Sequence, residues 1–256
     1  METNKYQRYF VHLAYKGTNY HGWQIQPNAV TIQQTLNEAL SVILRENINL
    51  IGAGRTDAGV HASSFYAHFD LNAEQNIDTN HLVFKLNCYL PRDIAIYNIY
   101  PVSDNAHARF DAISRTYQYY MFTRKNPFNP DTSYFLFKRV NVEKMNEACS
   151  LLKKYNDFTS FSKRSTETKS NLCDIYRAEW IKKGDKLTFI IAANRFLRNM
   201  VRALVGTMIE IGEEKLSLED FTDIIEGQDR SLASYSIPAN GLFLTDIQYP
   251  KSVLNI

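Results

Sequence analysis

The sequence predicts an α+β fold: two ferredoxin-like, RRM-like α/β halves with a mainly antiparallel central sheet and a cleft between them. Three observations predict it. Residues 1–102 read in the order β-α-β-β-α-β, which is the split βαβ arrangement. Residues 103–256 approximate the same order. The chain has 256 residues with 45% hydrophobic and 22% charged, enough to bury two cores without disulfides. The expected division is an N-terminal half at 1–102 and a C-terminal half at 103–256. The halves share no obvious sequence repeat, so the duplication rests on element order alone.

In the first half, RYFVHLAY (8–15) alternates as a strand does, with Val11, Leu13 and Tyr15 on one face. A turn-rich linker, KGTNYHGWQIQPNAV, leads to a helix from Thr31. Thr31 and Gln34 fit a capping box, and Ile32, Leu36, Leu40, Ile43 and Leu44 form an apolar stripe. A short strand near Asn49–Ile51, a glycine-rich segment and a strand at Phe65–Leu71 follow. The pattern predicts a helix over Thr79–Tyr89, stopped by Pro91, and a strand over Asp93–Tyr100.

In the second half, RTYQYYMFT (115–123) reads as a strand. Asn141 caps a helix to about Tyr155, with Val142, Met145, Ala148 and Leu152 on one side. YRAEWIKK and KLTFIIAA flank Gly184-Asp185 as a hairpin. A helix is predicted from Asn194 to about Ile211, another capped by Ser217 and Asp220 and ending before Gly227, and a last strand over Phe243–Tyr249.

Three scattered cysteines without a Cys-x-x-Cys pair point to a reducing compartment and away from disulfide or thiolate-metal frameworks. METNKYQRYF has no apolar leader region, and no apolar run approaches the ~18 residues of a membrane span. The expectation is a cytoplasmic protein without a membrane partner. Net charge is only +2, but residues 153–202 hold twelve Lys/Arg against five Asp/Glu, and residues 203–256 hold three against nine. That asymmetry suits a basic stretch facing an anionic partner, though a merely solvated basic surface gives the same count.

Four segments have residues suited to chemistry or to binding an anionic ligand. In IGAGRTDAGVHASSF (51–65), Asp57 is the single carboxylate, set with Arg55 among Gly52, Gly54 and Gly59. Glycines open backbone conformations closed to other residues and let a ligand approach. A carboxylate kept charged by a nearby arginine, with no second carboxylate beside it, has the character of a nucleophile rather than half of an acid/base pair. A tight turn with a surface Arg–Asp contact is the plainer alternative. In HARFDAISRTYQYY (107–120), Tyr117 and Tyr119 share a strand face, where a tyrosine either stacks on a nucleobase or fills a core. In NRFLRNMVRALVG (194–206), Arg195, Arg198 and Arg202 fall near one face of the expected helix, with Phe196, Met200, Leu204 and Val205 forming much of its buried side. Arg202, between Val201 and Ala203, has a packed stem and needs an anion, for which Asp57 is a candidate. Lys163, Arg164 and Lys169 lie in the polar loop FSKRSTETKSN, whose composition fits phosphate contacts or a plain surface loop. The phosphate-loop and dinucleotide fingerprints, His-x-x-x-His spacing and the deaminase signature are all missing from the sequence, so no metal or cofactor is expected.

Taken together, these segments resemble the TruA pseudouridine synthases. GRTDAGVHA is similar to their active-site motif, HARFDAISRTYQY to a second and FLRNMVRALVG to a third. YHGWQIQP, LNCYLPRDIAI, DFTSFS and PANGLFLTDIQYP match further segments, in order over nearly the whole chain. The resemblance implies that Asp57 is the nucleophile and that Arg55 helps to flip out or position the target nucleotide. Tyr117 then stacks on the base, and Arg202 pairs with the catalytic carboxylate. It also implies isomerisation of uridine to pseudouridine at positions 38–40 of the tRNA anticodon stem-loop, without cofactor, by a homodimer. One departure is Ser63, Ser64 and Phe65, where members often carry a Gly-Gln-like pair. The carboxylate can attack the sugar, attack C6 of the base or remove the C2′ proton, and the sequence does not choose. A non-catalytic RNA-binding protein and an N-glycosylase-like hydrolase are the competing readings.

Overall fold

In the computed structural model, which describes residues 6–75, 77–163 and 170–254, the chain divides into two units. Unit 1 comprises residues 1–113 with 244–256, and unit 2 residues 114–243.

Unit 1 contains β1 (Tyr6–Tyr15), α1 (Ile32–Leu44), β2 (Ile51–Gly52), β3 (His61–Asn72), α2 (Thr79–Tyr89) and β4 (Ile94–Val102). Among these strands the pairing runs β4-β1-β3, with the two-residue β2 added to β3 off the main path, every pair antiparallel. The alternation read from β1 is the one observed. Val11, Leu13 and Tyr15 are buried, paired across the ladder with Ala67, Phe65 and Ala62. Ile32, Leu36 and Leu40 of α1 and Leu82 and Leu86 of α2 are buried as well. Each such large apolar side chain contributes about 1.5–3 kcal/mol. Thr31 caps α1 by accepting from the Gln34 N–H, but the reciprocal half of the expected capping box is missing. The Gln34 amide instead donates to Glu38 at 2.9 Å. Asp78 caps α2, which ends at Tyr89, two residues before Pro91.

The other face of this sheet is aromatic. His12 stacks flat on Tyr66 at 4.5 Å, Phe10 lies over His68 at 5.9 Å, and Tyr249 stands edge-on to both Phe10 and Tyr66. His68 is 2% exposed and accepts at Nδ1 from the Ala108 N–H. Burial first, then the charges of Arg8 and His107, push its pKa down to about 4. The ring is therefore neutral when folded but titrates near 6.5 when unfolded. Its contribution is present above about pH 6.5 and is lost as pH falls towards 4. Allowing for solvent screening, that is on the order of 2 kcal/mol, or roughly 4–8 °C in Tm for units of this size. Thermal melting between pH 7 and 4.5 checks it: His68→Gln, which keeps an acceptor for Ala108, should flatten part of the acid slope.

Unit 2 contains β5 (Ser114–Phe122), β6 (Tyr134–Phe135), α3 (Val142–Leu152), β7 (Ile175–Lys183), β8 (Lys186–Ala193), α4 (Met200–Gly212) and α5 (Leu218–Glu226). Strands β7, β8 and β5 pair antiparallel in that order, and β6 adds to β5 in parallel. Gly184, at φ +57°, turns the β7–β8 hairpin, a conformation that favours glycine. Asn141 caps α3, and Ser217 with Asp220 forms a complete capping box on α5. Strand β9 (Leu242–Gln248) carries the chain from unit 2 back into unit 1.

Two expectations fail here. The helix predicted from Asn194 starts at Met200, because Asn199 adopts a left-handed conformation at φ +69° and a helix cannot run through it. Helix α4 is then buried on nearly all sides rather than amphipathic, so Arg195 and Arg198 do not share a helix face with Arg202. Strand β6 is too short for periodicity to show. Among the described residues no helix is long and apolar enough to cross a membrane, and no group of three or more His, Cys, Asp or Glu is placed to hold a metal ion.

Candidate active site

Asp57 follows β2 in a segment fixed from behind by the turn-rich linker. Thr56 is buried, and its hydroxyl hydrogen-bonds the Tyr15 hydroxyl at 2.9 Å, both groups being inside unit 1. The Thr56 carbonyl accepts from the Trp23 N–H at 3.2 Å. On the far side, Gly59 donates to the Tyr20 carbonyl at 3.2 Å, and Val60 donates to the Asp57 carbonyl at 3.1 Å. The buried His61 ring accepts at Nδ1 from the Gly17 N–H at 3.0 Å. Asp93 anchors the linker itself, taking the Tyr20 hydroxyl at 2.7 Å while its carbonyl takes the Lys16 N–H. Asp57 thus lies between two pinned flanks, half-buried.

The glycines divide by role. Gly59 sits at φ +77° and Gly22 at φ +89°, both in the left-handed region. A Cβ on Gly22 would enter the Thr56 carbonyl, and one on Gly17 the Val60 carbonyl. Gly52 lacks a side chain because the Trp23 ring lies against it. Gly54 needs no special φ, and a Cβ there would meet nothing within 4 Å. Its smallness leaves open space beside Arg55 and Asp57. Arg55 is exposed, and among the described residues it makes no hydrogen bond or ion pair. The surface Arg55–Asp57 contact that a simple turn would have is therefore not formed.

Tyr15→Phe isolates the clamp. Losing a buried hydroxyl partner costs about 1–3 kcal/mol. The expected outcome is a Tm lower by several degrees and a reduced kcat with KM little changed. A double-mutant cycle with Thr56→Val should give clear non-additivity; additive effects would mean that the two hydroxyls do not act together.

In unit 2, Tyr117 and Tyr119 share a face of β5, but their surroundings differ. Tyr119 is fully buried, donates to the Pro238 carbonyl at 2.7 Å, and has Gly241 against its ring, so it is a core residue. Burial raises its phenol pKa. Tyr117 is half-buried, opposite Ile191 and perpendicular to Phe196 at 5.1 Å. Arg202, on the first turn of α4, is half-buried and donates from Nε to the Ile237 carbonyl at 2.7 Å, which fixes the guanidinium stem. Lys163 and Arg198 are both exposed and adjacent, since the Lys163 N–H donates to the Arg198 carbonyl at 3.0 Å. Arg195 is half-buried. Arg164 and Lys169 lie outside the described residues. Sequence reasoning missed Tyr15, Trp23 and His61. Their positions in otherwise ordinary strand and turn patterns carry no local signal of a contact more than thirty residues away.

A half-buried carboxylate pinned on a glycine-bounded segment, with a free arginine two residues before it, suits nucleophilic chemistry on a large ligand. Sequence comparison identifies the class. The model of the tRNA pseudouridine synthase family matches residues 12–111 and 148–250, and the chain belongs to that family. Among its relatives, the tRNA pseudouridine synthase A of Parabacteroides distasonis is 51% identical over 98% of this chain and 99% of its own length. That of Bacteroides thetaiotaomicron is 53% identical over 97% and 93%, and that of Clostridium acetobutylicum is 38% identical over 93% and 97%.

Proposed function

We propose that this chain isomerises uridine to pseudouridine at positions 38–40 of the tRNA anticodon stem-loop, with Asp57 as nucleophile. The carrying observation is the pinning of Asp57 at both flanks beside the open space at Gly54. In this reading Arg55 drives or holds the extruded nucleotide, Tyr117 stacks on its base, and Arg202 pairs with the Asp57 carboxylate. Lys163, Arg164, Lys169, Arg195 and Arg198 meet the RNA backbone, and the enzyme works as a cytoplasmic homodimer. The exposure of Arg55 and the adjacency of Lys163 and Arg198 support those assignments. The strand pairing β4-β1-β3, with β2 added to β3, and the two helices support a ferredoxin-like N-terminal half at 1–102 carrying the Asp57 loop. The remainder, 103–256, carries Tyr117 and the arginines.

The reaction needs no other reagent. The C1′–N1 bond of uridine breaks, the freed base rotates, and C5 bonds to C1′. C5 then loses a proton while N1 gains one, so atoms and electrons balance. Extruding a stem nucleotide costs a few kcal/mol, and stacking on an aromatic ring returns about 1–3 kcal/mol. Holding the detached base demands a water-poor pocket.

Chemical mapping of pseudouridine on unmodified tRNA incubated with the protein tests this. Pseudouridine at 38–40 is the expected result. Unchanged RNA that is nevertheless bound would mean an RNA-binding protein, and release of free uracil a glycosylase.

A further inference from the structure

We propose that the C-terminal end of β5, together with the β7–β8 hairpin beside it, forms a second tRNA contact remote from the reacting nucleotide. The proposal rests on tRNA being the substrate. Phe122 at the end of β5 pairs with Lys186 on one side and Phe135 on the other. The turn that follows is tied to the hairpin by the Thr123 N–H donating to the Asp185 carbonyl at 2.9 Å. This register gathers Arg124, Lys125, Lys182, Lys183 and Lys186, all exposed, at one end of the unit 2 sheet. Among the described residues, the side chains of Arg124, Lys125, Lys182 and Lys183 form no ion pair. Lys186 instead lies over the Tyr120 ring at 4.2 Å. Within residues 122–125 and 182–186 the single carboxylate is that of Asp185.

Two exposed aromatic rings belong to the segment that follows Lys125. Phe137 is 82% exposed, braced against Phe135 at 4.2 Å, and Phe128 is 89% exposed. Cations and exposed rings together fit phosphates and unstacked bases. A second copy of this chain is the weaker occupant, because a two-fold contact through the patch would set like charges against each other. Tyr117 lies five residues up β5, about 17 Å away at roughly 3.4 Å per residue. That separation is too large for the target base and suits backbone several nucleotides along.

The test uses the full chain and an unmodified tRNA transcript, with Kd measured over a salt series. Arg124→Gln/Lys125→Gln/Lys182→Gln/Lys183→Gln should raise Kd about tenfold or more near 0.1 M salt and lower the log–log salt slope by about two or more. Turnover at saturating tRNA should be unchanged. Phe137→Ala should weaken binding with little effect on the slope. Lys182→Gln/Lys183→Gln is set against Lys153→Gln/Lys154→Gln, exposed lysines on the helical side of the same unit; equal effects would overturn the proposal. So would an unchanged Kd together with an altered association state. Binding is also read in the Asp57→Asn background, so a failure of the isomerase assignment leaves this result readable.

Discussion

Asp57→Asn protein is expected to form no measurable pseudouridine, a loss of at least about 10⁴-fold, the scale on which removing a nucleophile acts. It should still bind tRNA within about threefold of wild type. The substitution keeps size and shape and removes only the charge and nucleophilicity of the side chain. The contacts that pin the segment use neighbouring atoms: the Thr56 hydroxyl and carbonyl, the Gly59 N–H and the Asp57 carbonyl itself. These contacts do not use the Asp57 carboxylate, so the segment should keep its place in Asp57→Asn. Turnover within tenfold of wild type would remove Asp57 from the chemistry. Loss of binding along with turnover would make it a docking residue instead.

What could be read in advance follows from range. Val11, Leu13 and Tyr15 on β1, the caps at Thr31, Asn141 and Ser217, and the stop of α2 before Pro91 are local signals, written within a few residues of their effect. The helical spacing of Arg195 and Arg198 predicts an earlier start for α4 than Met200, because the left-handed Asn199 is a backbone state that spacing does not encode. The Thr31–Gln34 box is half-formed because Gln34 Nε2 donates to Glu38, one turn on, which turns the amide away from the Thr31 N–H that its oxygen would accept. At the candidate site, Arg55 and Asp57 are legible in the sequence as residue types suited to chemistry. Their support is not, because Tyr15 and Thr56 are 41 positions apart and meet only through β1–β3 pairing and the linker's path. The glycines of the cluster differ: Gly59 uses the left-handed conformation, whereas Gly54 has an ordinary backbone and open space beside it. The glycines that hold the segment in shape from outside, Gly17 and Gly22, belong to the linker.

Gly22→Ala should accordingly be among the most damaging single-atom additions in unit 1, although residue 22 carries no chemistry. Two costs coincide. At φ +89° an alanine is in the left-handed region, which costs of order 1–3 kcal/mol. Its Cβ would also enter the Thr56 carbonyl and come within 3.1 Å of the Asp57 carbonyl carbon and 3.3 Å of the Ala58 nitrogen. These are backbone atoms, so no side-chain rotation relieves the clash. Either the linker moves and gives up the Trp23–Thr56 and Ile32–Gly22 bonds, or Thr56–Asp57 moves with its carboxylate. The first route lowers Tm by several degrees. The second displaces the proposed nucleophile, and a shift near 1 Å costs about 10²-fold in rate. The expected result is kcat down about 10²-fold with tRNA affinity largely kept. Gly54→Ala, with nothing near its new methyl, should melt within a degree or two of wild type. Wild-type kcat and Tm in Gly22→Ala would mean that the linker does not hold the Asp57 segment.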